Sequence, residues 1–507
     1  MFGFFYCRNA GIFTSLNSSY SLSKTSFIKG LQCHKALFLY KHYPQLRDPI
    51  PPARQALFSR GHDVGALAHQ LFPGGVDASV GLTGAAIAAK TQELIAVGVE
   101  IIYEAGFIYD DVLVLADIVV KTAEGWNVYE IKSSLRLSRT YYNDAVLQHY
   151  VIAGAGLVVN DFFLAHVNPD YVRSGALNVQ DYFQKVNVTG TVKKYVALIR
   201  KQVRELKAVL DAPQIPEVAI GEHCFSPYEC DFKGTCWKNI ATDNVFTLTG
   251  IGRNKQAEFF NQGYVSIKDL PENVELPKSA HLQWQGFVTD QEVVRTAEII
   301  AMLEQVGNHA LLLDVENFQP AIPQYEGCKP FQALPFAYSL HEWKDGNIIK
   351  HRVFLAEPGM DPRETFLQEF LSDCSAELPV VVFDASAERV TINNMIRTFP
   401  ELASQLEAIS ARIVDLQKVF ASGAYYHPRM KGSYSLKSVL PAIAPDLNYD
   451  SLTVQNGSHA MQLYSRLQTE TDLFELATGR EQLLQYCETD TLGMVRILNY
   501  LHDLVRR

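Results

Sequence analysis

Short apolar runs alternate along the chain with segments rich in Gly, Pro, Asn and Asp. In the first half, FIYDDVLVLADIVVKTAEGWNVYEIKSS predicts two strands, VLVLADIVV and WNVYEIKSS, joined by a turn at KTAEG. YYNDAVLQHYVIAGAGLVV then predicts a helix that leads into a further strand. Upstream, SLSKTSFIKGLQCHKALFLYKHY has Ser and Thr cap candidates and apolar residues at helical spacing, so it predicts a single helix that carries Cys33.

The second half shows the same mixture of patterns. HALLLDVENFQPAIP begins with an apolar strand, and FAYSLHEW and NIIKHRVFLAEPG predict the next strands of a meander. LPVVVFDASAERVTINNMI predicts a buried strand followed by a helix, and LLQYCETDTLGMVRILNYL predicts another helix. The pattern therefore predicts an α/β protein, and the 507 residues suggest two to four domains.

Between these halves lies a segment with two helical patterns around a glycine, LTGIGRNKQAEFFNQGYVSIKDLPE. This pattern is typical of a helix-hairpin-helix unit, whose backbone amides hold a nucleic-acid phosphate, and equally of a plain helical linker. We predict a connector of this kind over residues 241–290. The stretch PENVELPKSAHLQWQG within it is predicted to be a loop.

Composition narrows the class of protein. A hydrophobic fraction of 48% and a charged fraction of 20% are those of a globular chain, and no apolar run reaches the ~20 residues of a membrane helix. The net charge of -10 excludes a broadly basic nucleic-acid coat. Residues 1–240 hold 23 basic and 21 acidic residues, against 22 and 34 in the remainder, so the acidic excess lies in the second half.

We expect residues 1–20 to be a flexible extension and the protein to be cytoplasmic, without a membrane partner.

Paired polar residues mark the strands and helix of the first half. Asp117 ends an apolar strand, and Glu130 and Lys132 are two apart on the next, so they share a face. Asp144 and Gln148 are four apart on the following helix. Two carboxylates and a lysine in this order suit metal-dependent phosphodiester hydrolysis, in which the carboxylates hold a divalent cation. A surface hairpin with a Glu–Lys pair is the alternative.

Three of the eight cysteines fall in EHCFSPYECDFKGTCW, at Cys224, Cys230 and Cys236. In a cytoplasmic protein, clustered cysteines indicate a metal site more often than disulfides. Thiolates select zinc or an iron–sulfur cluster, and both remain open at this point.

Acidic residues recur at strand ends in the second half. Asp314 and Glu316 follow the apolar ALLL and share a face, Asp384 and Glu388 follow VVVF, and Tyr486 and Asp490 are four apart on a helix. Carboxylates that converge are costly unless cations neutralise them, so these residues predict a site for Mg²⁺ or Mn²⁺. Scattered surface acids are the alternative.

The pattern ADIVV…VYEIKSS…LQHY resembles the RecB-like branch of the PD-(D/E)xK nucleases, with a restriction-endonuclease-like fold. The resemblance implies an active site of Asp117, Glu130, Lys132 and Gln148, and His69 as a further metal ligand in GALAHQLFP. In some RecB-like nucleases one cysteine before the nuclease core and three after it bind a [4Fe–4S] cluster. This implies Cys33, Cys224, Cys230 and Cys236 as ligands, with zinc as the alternative because the first gap in the triplet is five residues.

The acids of the second half resemble the tyrosine variant of the DEDD exonucleases, which have an RNase H-like fold and act in the 3′–5′ direction. The implied metal ligands are Asp314, Glu316, Glu388 and Asp490, with Tyr486 beside the attacking water; Glu388 stands where that family has Asp. Nearly the whole chain after residue 20 resembles an uncharacterised bacterial family that fuses the two modules, most distinctively in DVENFQPAIPQYEGCKPFQALPFAYSLH and HCFSPYECDFKGTCW. The implied domains are a nuclease domain over residues 21–240 and an exonuclease domain over residues 300–507.

We therefore expect a metal-dependent nuclease whose substrate is DNA or RNA, single-stranded or with free ends. The alternative is a nucleic-acid-binding or scaffold protein in which one or both sites have decayed.

Overall fold

The computed structural model describes residues 20–507, so the expected flexible extension lies outside the described residues except for Tyr20. The described chain divides into two compact units. The first consists of residues 20–49, 58–169 and 177–236, and the second of residues 50–57, 170–176 and 237–507. Both units combine helices with a mixed sheet, which confirms the α/β class at this level.

A seven-stranded mixed sheet is the centre of the first unit. Its strands are β1 (Leu22–Ser23), β2 (Val76–Asp77), β3 (Ile101–Tyr109), β4 (Val112–Thr122), β5 (Gly125–Lys132), β6 (Val159–Val167) and β7 (Phe183–Asn187). The order is β2-β3-β4-β5-β6-β7, and β1 pairs with β4. Strands β3, β4 and β5 form an antiparallel meander, whereas β6 runs parallel to β5.

The helices of the first part of the chain are α1 (Lys24–Gln32), α2 (His34–His42), α3 (Pro52–Ala68), α4 (Ala85–Ala96), α5 (Arg139–Gly154), α6 (Val179–Tyr182), α7 (Thr189–Leu210) and α8 (Lys233–Cys236). Helix α5 connects β5 to the parallel strand β6, as the pattern predicted. Its central residues, 144–152, are buried in one continuous run, which places α5 between the sheet and α7. Polar residues on this helix are therefore enclosed by the core.

The prediction of a single helix around Cys33 is wrong, because two helices meet there. Cys33 is extended, with φ -161° and ψ 122°, and its N–H donates to the carbonyl of Lys29 to close α1. The same residue precedes α2, whose Leu37 N–H bonds to the Cys33 carbonyl. Helix α1 begins with a capping box of Ser23 and Ser26. Cys33 thus lies at a break between helices rather than on a helix face.

A five-stranded mixed sheet is the centre of the second unit. Its strands are β9 (His309–Phe318), β10 (Leu334–Lys344), β11 (Asn347–Leu355), β12 (Val380–Val382) and β13 (Ile413–Asp415), and β8 (Val293–Val294) pairs separately with β14 (Tyr425–Tyr426). The order is β11-β10-β9-β12-β13. Strand β10 is antiparallel to both neighbours, whereas β12 and β13 are parallel to β9.

The helices of the second unit are α9 (Arg253–Asn261), α10 (Lys278–Thr289), α11 (Thr296–Val306), α12 (Arg363–Asp373), α13 (Ala385–Thr398), α14 (Ala403–Ala411), α15 (Gln417–Ala421), α16 (Leu436–Ile443), α17 (Gly457–Leu467) and α18 (Leu473–Arg506). Helix α10 corrects part of the loop predicted for PENVELPKSAHLQWQG, because residues 278–286 are helical whereas residues 271–277 are irregular. Pro277 is its N-cap, and Ala280, Gln283 and Gly286 are buried at helical spacing. Pro277 lies outside the helix interior, so it does not interrupt the helical hydrogen bonds.

Strand β9 is buried on both faces. Leu311 and Leu313 pack in the apolar cluster that includes α12 and α13, whereas Leu312 packs in the cluster that includes α17 and α18. Side chains alternate along a strand, so Asp314 and Glu316 lie on the same face as Leu312. The sheet therefore directs this acidic pair toward α17 and α18.

Within residues 20–507, every helix is too short or too polar to span a bilayer.

Candidate functional site

Two lysines and two acids form an ion cluster in the first unit. Lys132 on β5 donates to Glu130 Oε1 at 2.6 Å and to Asp144 Oδ2 at 2.7 Å. Lys24 at the start of α1 donates to the same Glu130 oxygen at 2.5 Å, and its Nζ lies 3.3 Å from Asp144 Oδ2. Each lysine therefore bridges both carboxylates, which come from a strand and from helix α5.

Asp117 and Glu104 add negative charge beside this cluster. Asp117 on β4 accepts a hydrogen bond from the Ile131 N–H at 2.5 Å. Burial raises its pKa, and the neighbouring Glu130 adds to that effect. Glu104 on β3 has a φ of 49°, and burial, together with Glu130, raises its pKa to about 7. The sheet thus brings three acids, on β3, β4 and β5, close to the lysines.

Gln148 completes the predicted set by bonding to Asp144. Its Nε2 donates to Asp144 Oδ1 at 3.1 Å. Burial opposes ionisation of Asp144, but Lys132 and Lys24 outweigh it and lower the pKa of this carboxyl. Burial likewise opposes the charge on Lys132, and the acids Asp144 and Glu130 raise its pKa nonetheless. Asp144 and Lys132 are therefore both charged at neutral pH.

Two buried oxygens in this cluster, Glu130 Oε2 and Gln148 Oε1, have no hydrogen-bond partner among the described residues. Unpaired buried acceptors are costly, and a bound cation removes that cost. The donor set, two or three carboxylates with an amide oxygen, is the type that Mg²⁺ and Mn²⁺ select. The residues present therefore fit a divalent cation.

His69 is the one predicted member of this site that lies apart from the ion cluster. Its ring stacks on Tyr103 with centroids 4.0 Å apart, in the 3-10 turn His69–Leu71 that follows α3. Burial lowers its pKa, which Asp77 partly offsets. In the described part of the chain, no hydrogen bond or ion pair joins His69 to Asp117 or Glu130.

The four predicted thiols interact electrostatically, although Cys33 lies near the start of the first unit and the triplet lies near its end. Burial raises the pKa of Cys230 to about 11, and the thiols of Cys33, Cys224 and Cys236 each contribute. Cys33 and Cys230 both pack against Phe232 in a small apolar cluster. The Cys230 N–H donates to the Cys224 carbonyl at 2.9 Å. The thiol of Cys33 is thus close enough to those of the triplet to affect their ionisation.

Polar contacts hold the Cys33 region against the cysteine triplet. Gln32 Nε2 donates to the carbonyls of His223 and Tyr228, both at 2.7 Å. Asp231 is buried and forms ion pairs with Lys29 and, at 3.0 Å, with Arg47 Nε. Soft thiolates suit an iron–sulfur cluster or zinc, so the donor set fits either group.

The second unit contains a tighter acid cluster. Asp314 and Glu316 on β9 and Asp490 on α18 each offer a carboxylate oxygen, and these oxygens lie within 4.8 Å of one another. Burial raises the pKa of Glu316 to about 8, and Asp490 adds to that effect. The pKa of Asp314 is raised for the same reasons. Three carboxylates this close repel one another, and a divalent cation among them removes the repulsion.

A tyrosine and a lysine lie directly against these acids. Lys437 Nζ on α16 donates to the Tyr486 hydroxyl at 2.9 Å, and Tyr449 donates to Asp490 Oδ1 at 2.5 Å. Lys437 also lies over both rings, 4.5 Å from the Tyr486 centroid and 4.6 Å from that of Tyr449. Burial raises the pKa of Tyr486, and Asp490 and Glu316 raise it further, so this phenol stays protonated at neutral pH.

Glu388 is buried at the edge of this cluster. It lies in the first turn of α13, and burial raises its pKa, with Asp314 as the next cause. Its Oε2 has no hydrogen-bond partner among the described residues. Asp384 instead caps α13, accepting from the Ser386 N–H at 2.9 Å. Of the two acids in DASAE, Glu388 is therefore the one enclosed near the site.

Lys24, Glu104, Lys437 and Tyr449 are site residues that were not singled out from the sequence. Lys24 is separated from Glu130 by 106 positions, and Lys437 is separated from Tyr486 by 49. Both lie in ordinary helical patterns, where a lysine carries no signal of its partner. Asp144 had a signal in its spacing of four from Gln148 on a helix.

Comparison with known proteins places a family only on part of the chain. Residues 311–435 match a family described as a domain of unknown function (DUF2779), which spans Asp314, Glu316 and Glu388. No curated protein matches the chain. A solved structure described as "Crystal structure of SSO0001" shares 10% identity and covers 38% of this chain and 79% of its own. Its TM-score of 0.21 is too low to support an argument about fold.

Proposed function

We propose that the protein is a metal-dependent nuclease with two hydrolytic sites, one in each unit, that acts on single-stranded DNA or RNA or on free ends. The observation that carries this proposal is the convergence of Asp314, Glu316 and Asp490 within 4.8 Å, with Tyr486 beside them. Scattered surface acids do not explain this convergence, because all three carboxylates are largely buried. An RNase H-like DEDD exonuclease module that acts in the 3′–5′ direction is the finer assignment that we propose.

Asp314, Glu316 and Asp490 would hold Mg²⁺ or Mn²⁺, with Glu388 as a further ligand. Such ions would polarise the scissile phosphate and stabilise the charge that develops on its oxygens. Tyr486 remains a neutral phenol and accepts a hydrogen bond from Lys437. Its own hydroxyl proton points to the carboxylates of Asp490 and Glu316. We propose that, once a cation occupies those carboxylates, this hydroxyl orients a water molecule.

In the first unit we propose a RecB-like PD-(D/E)xK site. Asp117 and Glu130 would hold the divalent cation, with His69 as a further ligand after movement of its ring. Lys132 is cationic and is held by two acids, so it can orient a water molecule or a phosphate oxygen. Gln148 orients Asp144, which in turn holds Lys132.

For the four thiols we propose a [4Fe–4S] cluster, with zinc as the alternative. Burial raises the pKa of the Cys33, Cys230 and Cys236 thiols, so binding of either group must displace protons from them. Because ligands come from residue 33 and from residues 224–236, the group would join distant parts of the first unit. We therefore assign it a structural role.

The test uses the full-length protein, purified without oxygen, with Mg²⁺ or Mn²⁺ and single-stranded DNA and RNA labelled at either end. Wild type is compared with Lys132→Arg, Asp314→Asn and the double variant. Asp314→Asn should reduce stepwise shortening from the 3′ end by at least ~10²-fold, the scale of losing a principal electrostatic stabiliser. Lys132→Arg should lose the cleavage that Asp314→Asn retains. The double variant should therefore be inactive.

Lys90→Arg and Asp446→Asn are the matched controls, because each makes the same chemical change in an exposed ion pair. Both should cleave like wild type. Cleavage that persists in the double variant would refute the two-site assignment. Wild-type protein that binds the labelled strands without cutting them would instead support the binding or scaffold alternative.

A further inference from the structure

A second group of metal-binding side chains lies in the second unit, separate from the acids proposed for catalysis. His341 on β10, His351 on β11 and Glu488 on α18 each offer one ligand atom, and these atoms lie within 4.8 Å of one another. His341 and His351 are paired across the antiparallel strands, and their rings are nearly parallel with centroids 4.2 Å apart. Three elements therefore direct two imidazoles and a carboxylate to one place.

Buried hydroxyls fix the orientation of both rings. His341 Nδ1 bonds to Thr491 Oγ1 at 2.8 Å, and His351 Nε2 bonds to Ser339 Oγ at 3.1 Å. Ser339 and Thr491 are joined to each other at 2.6 Å, and Thr491 Oγ1 lies 3.3 Å from the carbonyl of Glu488. Both hydroxyl residues are fully buried.

The following arrangement of protons satisfies every hydrogen bond of this network. Thr491 donates to the main-chain carbonyl and accepts from Ser339 and from His341 Nδ1–H. Ser339 then accepts from His351 Nε2–H. This leaves a lone pair on His341 Nε2 and on His351 Nδ1, and the latter nitrogen is 3.8 Å from Glu488 Oε1. Hydrogen bonds of this kind fix the tautomer of metal-binding histidines.

We propose that His341, His351 and Glu488 form a binding site for a transition-metal ion of the zinc class. Two imidazoles and one carboxylate suit Zn²⁺ better than Mg²⁺, which prefers oxygen ligands. Burial, together with His351, lowers the pKa of His341 to about 4, so this ring is neutral and able to ligate at neutral pH. The exposed Glu488 side chain can move the short distance that closes the site.

The site has a positioning role, because its ligands connect the edge strand β11 to helix α18. Strand β11 is the edge of the sheet and is mostly exposed, and His351 lies in its middle. Glu488 lies two residues from both Tyr486 and Asp490 on α18. An ion held by these ligands would tie the edge strand to the helix that carries the proposed catalytic pair.

The test is a comparison of zinc binding by the full-length protein and by His351→Gln, with excess Mg²⁺ present to occupy the carboxylate sites. His351→Gln removes a half-exposed ligand and should fold. It should bind one Zn²⁺ fewer per chain, and added Zn²⁺ should raise the melting temperature of wild type more than that of the variant. Ser339→Ala keeps all three ligands but removes the hydrogen bond that orients His351. It should lower the affinity of this site for Zn²⁺ by about 10- to 100-fold.

His309→Gln is the matched control, since His309 also bonds to a glutamate on this sheet, Glu342 at 2.8 Å, without a second imidazole. It should bind as much zinc as wild type. Co²⁺ provides an independent signature: a difference spectrum between wild type and His351→Gln should contain d–d bands without a thiolate charge-transfer band. Equal zinc content and affinity in wild type and His351→Gln would overturn the site.

Discussion

Lys132 is surrounded by carboxylates, so its effect on stability must be separated from its effect on cleavage. Its side chain is only 12% exposed and bridges Glu130 and Asp144. Removing one partner of a buried ion pair costs about 3–5 kcal/mol because the other charges remain buried. We expect Lys132→Ala to lower the free energy of unfolding of the first unit by about 3 kcal/mol, measured by denaturant unfolding.

Lys132→Arg is the variant to compare with Lys132→Ala. Arginine keeps the positive charge between the acids, so the unfolding free energy should stay near the wild-type value while cleavage is lost. Lys24→Ala is a second comparison, because Lys24 contacts the same acids but is 33% exposed and should destabilise less. A Lys132→Ala protein as stable as wild type would contradict the ion cluster described above.

Glu316 makes the stability of the metal-free second unit depend on pH. Its pKa is about 8 in the folded chain against an ordinary value of 4.5, so between these values the folded state binds more protons than the unfolded state. The free energy of unfolding should therefore fall as pH rises from about 4.5 through 8. Melting temperatures in EDTA across this range would check it, and excess Mg²⁺ should stabilise more at pH 8 than at pH 6.

Glu316→Gln removes this titration and should flatten the pH dependence in EDTA. Asp314 and Glu388 have pKa values raised in the same direction, so part of the slope should remain. A wild-type slope no steeper than that of Glu316→Gln would show that the acid triad is not strained without metal.

At the scale of elements, local patterns predicted much of the fold, and pairings across long stretches were not predicted. The strands around Asp117 and Glu130 and the helix with Gln148 were evident from periodicity alone. The break at Cys33 was missed because KGLQCHKAL keeps an apolar helical spacing through it. The contacts of Lys24 and Lys437 depend on tertiary packing, which no local pattern encodes.

The break between α1 and α2 leads to a prediction about the thiols. Cys33 lies at this turn near the triplet, and contacts of Gln32 and Asp231 hold the turn. Cys230→Ser should lower the iron content from about four per chain, remove the brown colour of anaerobic protein and speed proteolysis near residue 33. Cys374→Ser, at a buried thiol of the second unit, is the control and should keep its iron. Colourless wild-type protein with about one zinc would favour the alternative ligand.

At the scale of the whole molecule, each unit has its own apolar core. One large cluster includes Leu164 and Leu206, and another includes Leu312 and Leu498. We expect calorimetry to resolve two unfolding transitions. Cys230→Ser should lower one of them, and Mg²⁺ should raise the other in wild type but much less in Asp314→Asn. A single transition that responds to both changes would show that the units unfold together.

The link between Gln32 and His223 also constrains the order of events during protein synthesis. These residues are 191 positions apart, so the contact cannot form until the ribosome has made nearly all of the first unit. At a synthesis rate of ~5–20 residues per second, the loop that contains His223 is made roughly 10–40 s after α1 and α2. Assembly of the proposed thiol site therefore requires that Cys33 stay reduced and accessible through that interval, and a chain that stalls before residue 224 cannot assemble it.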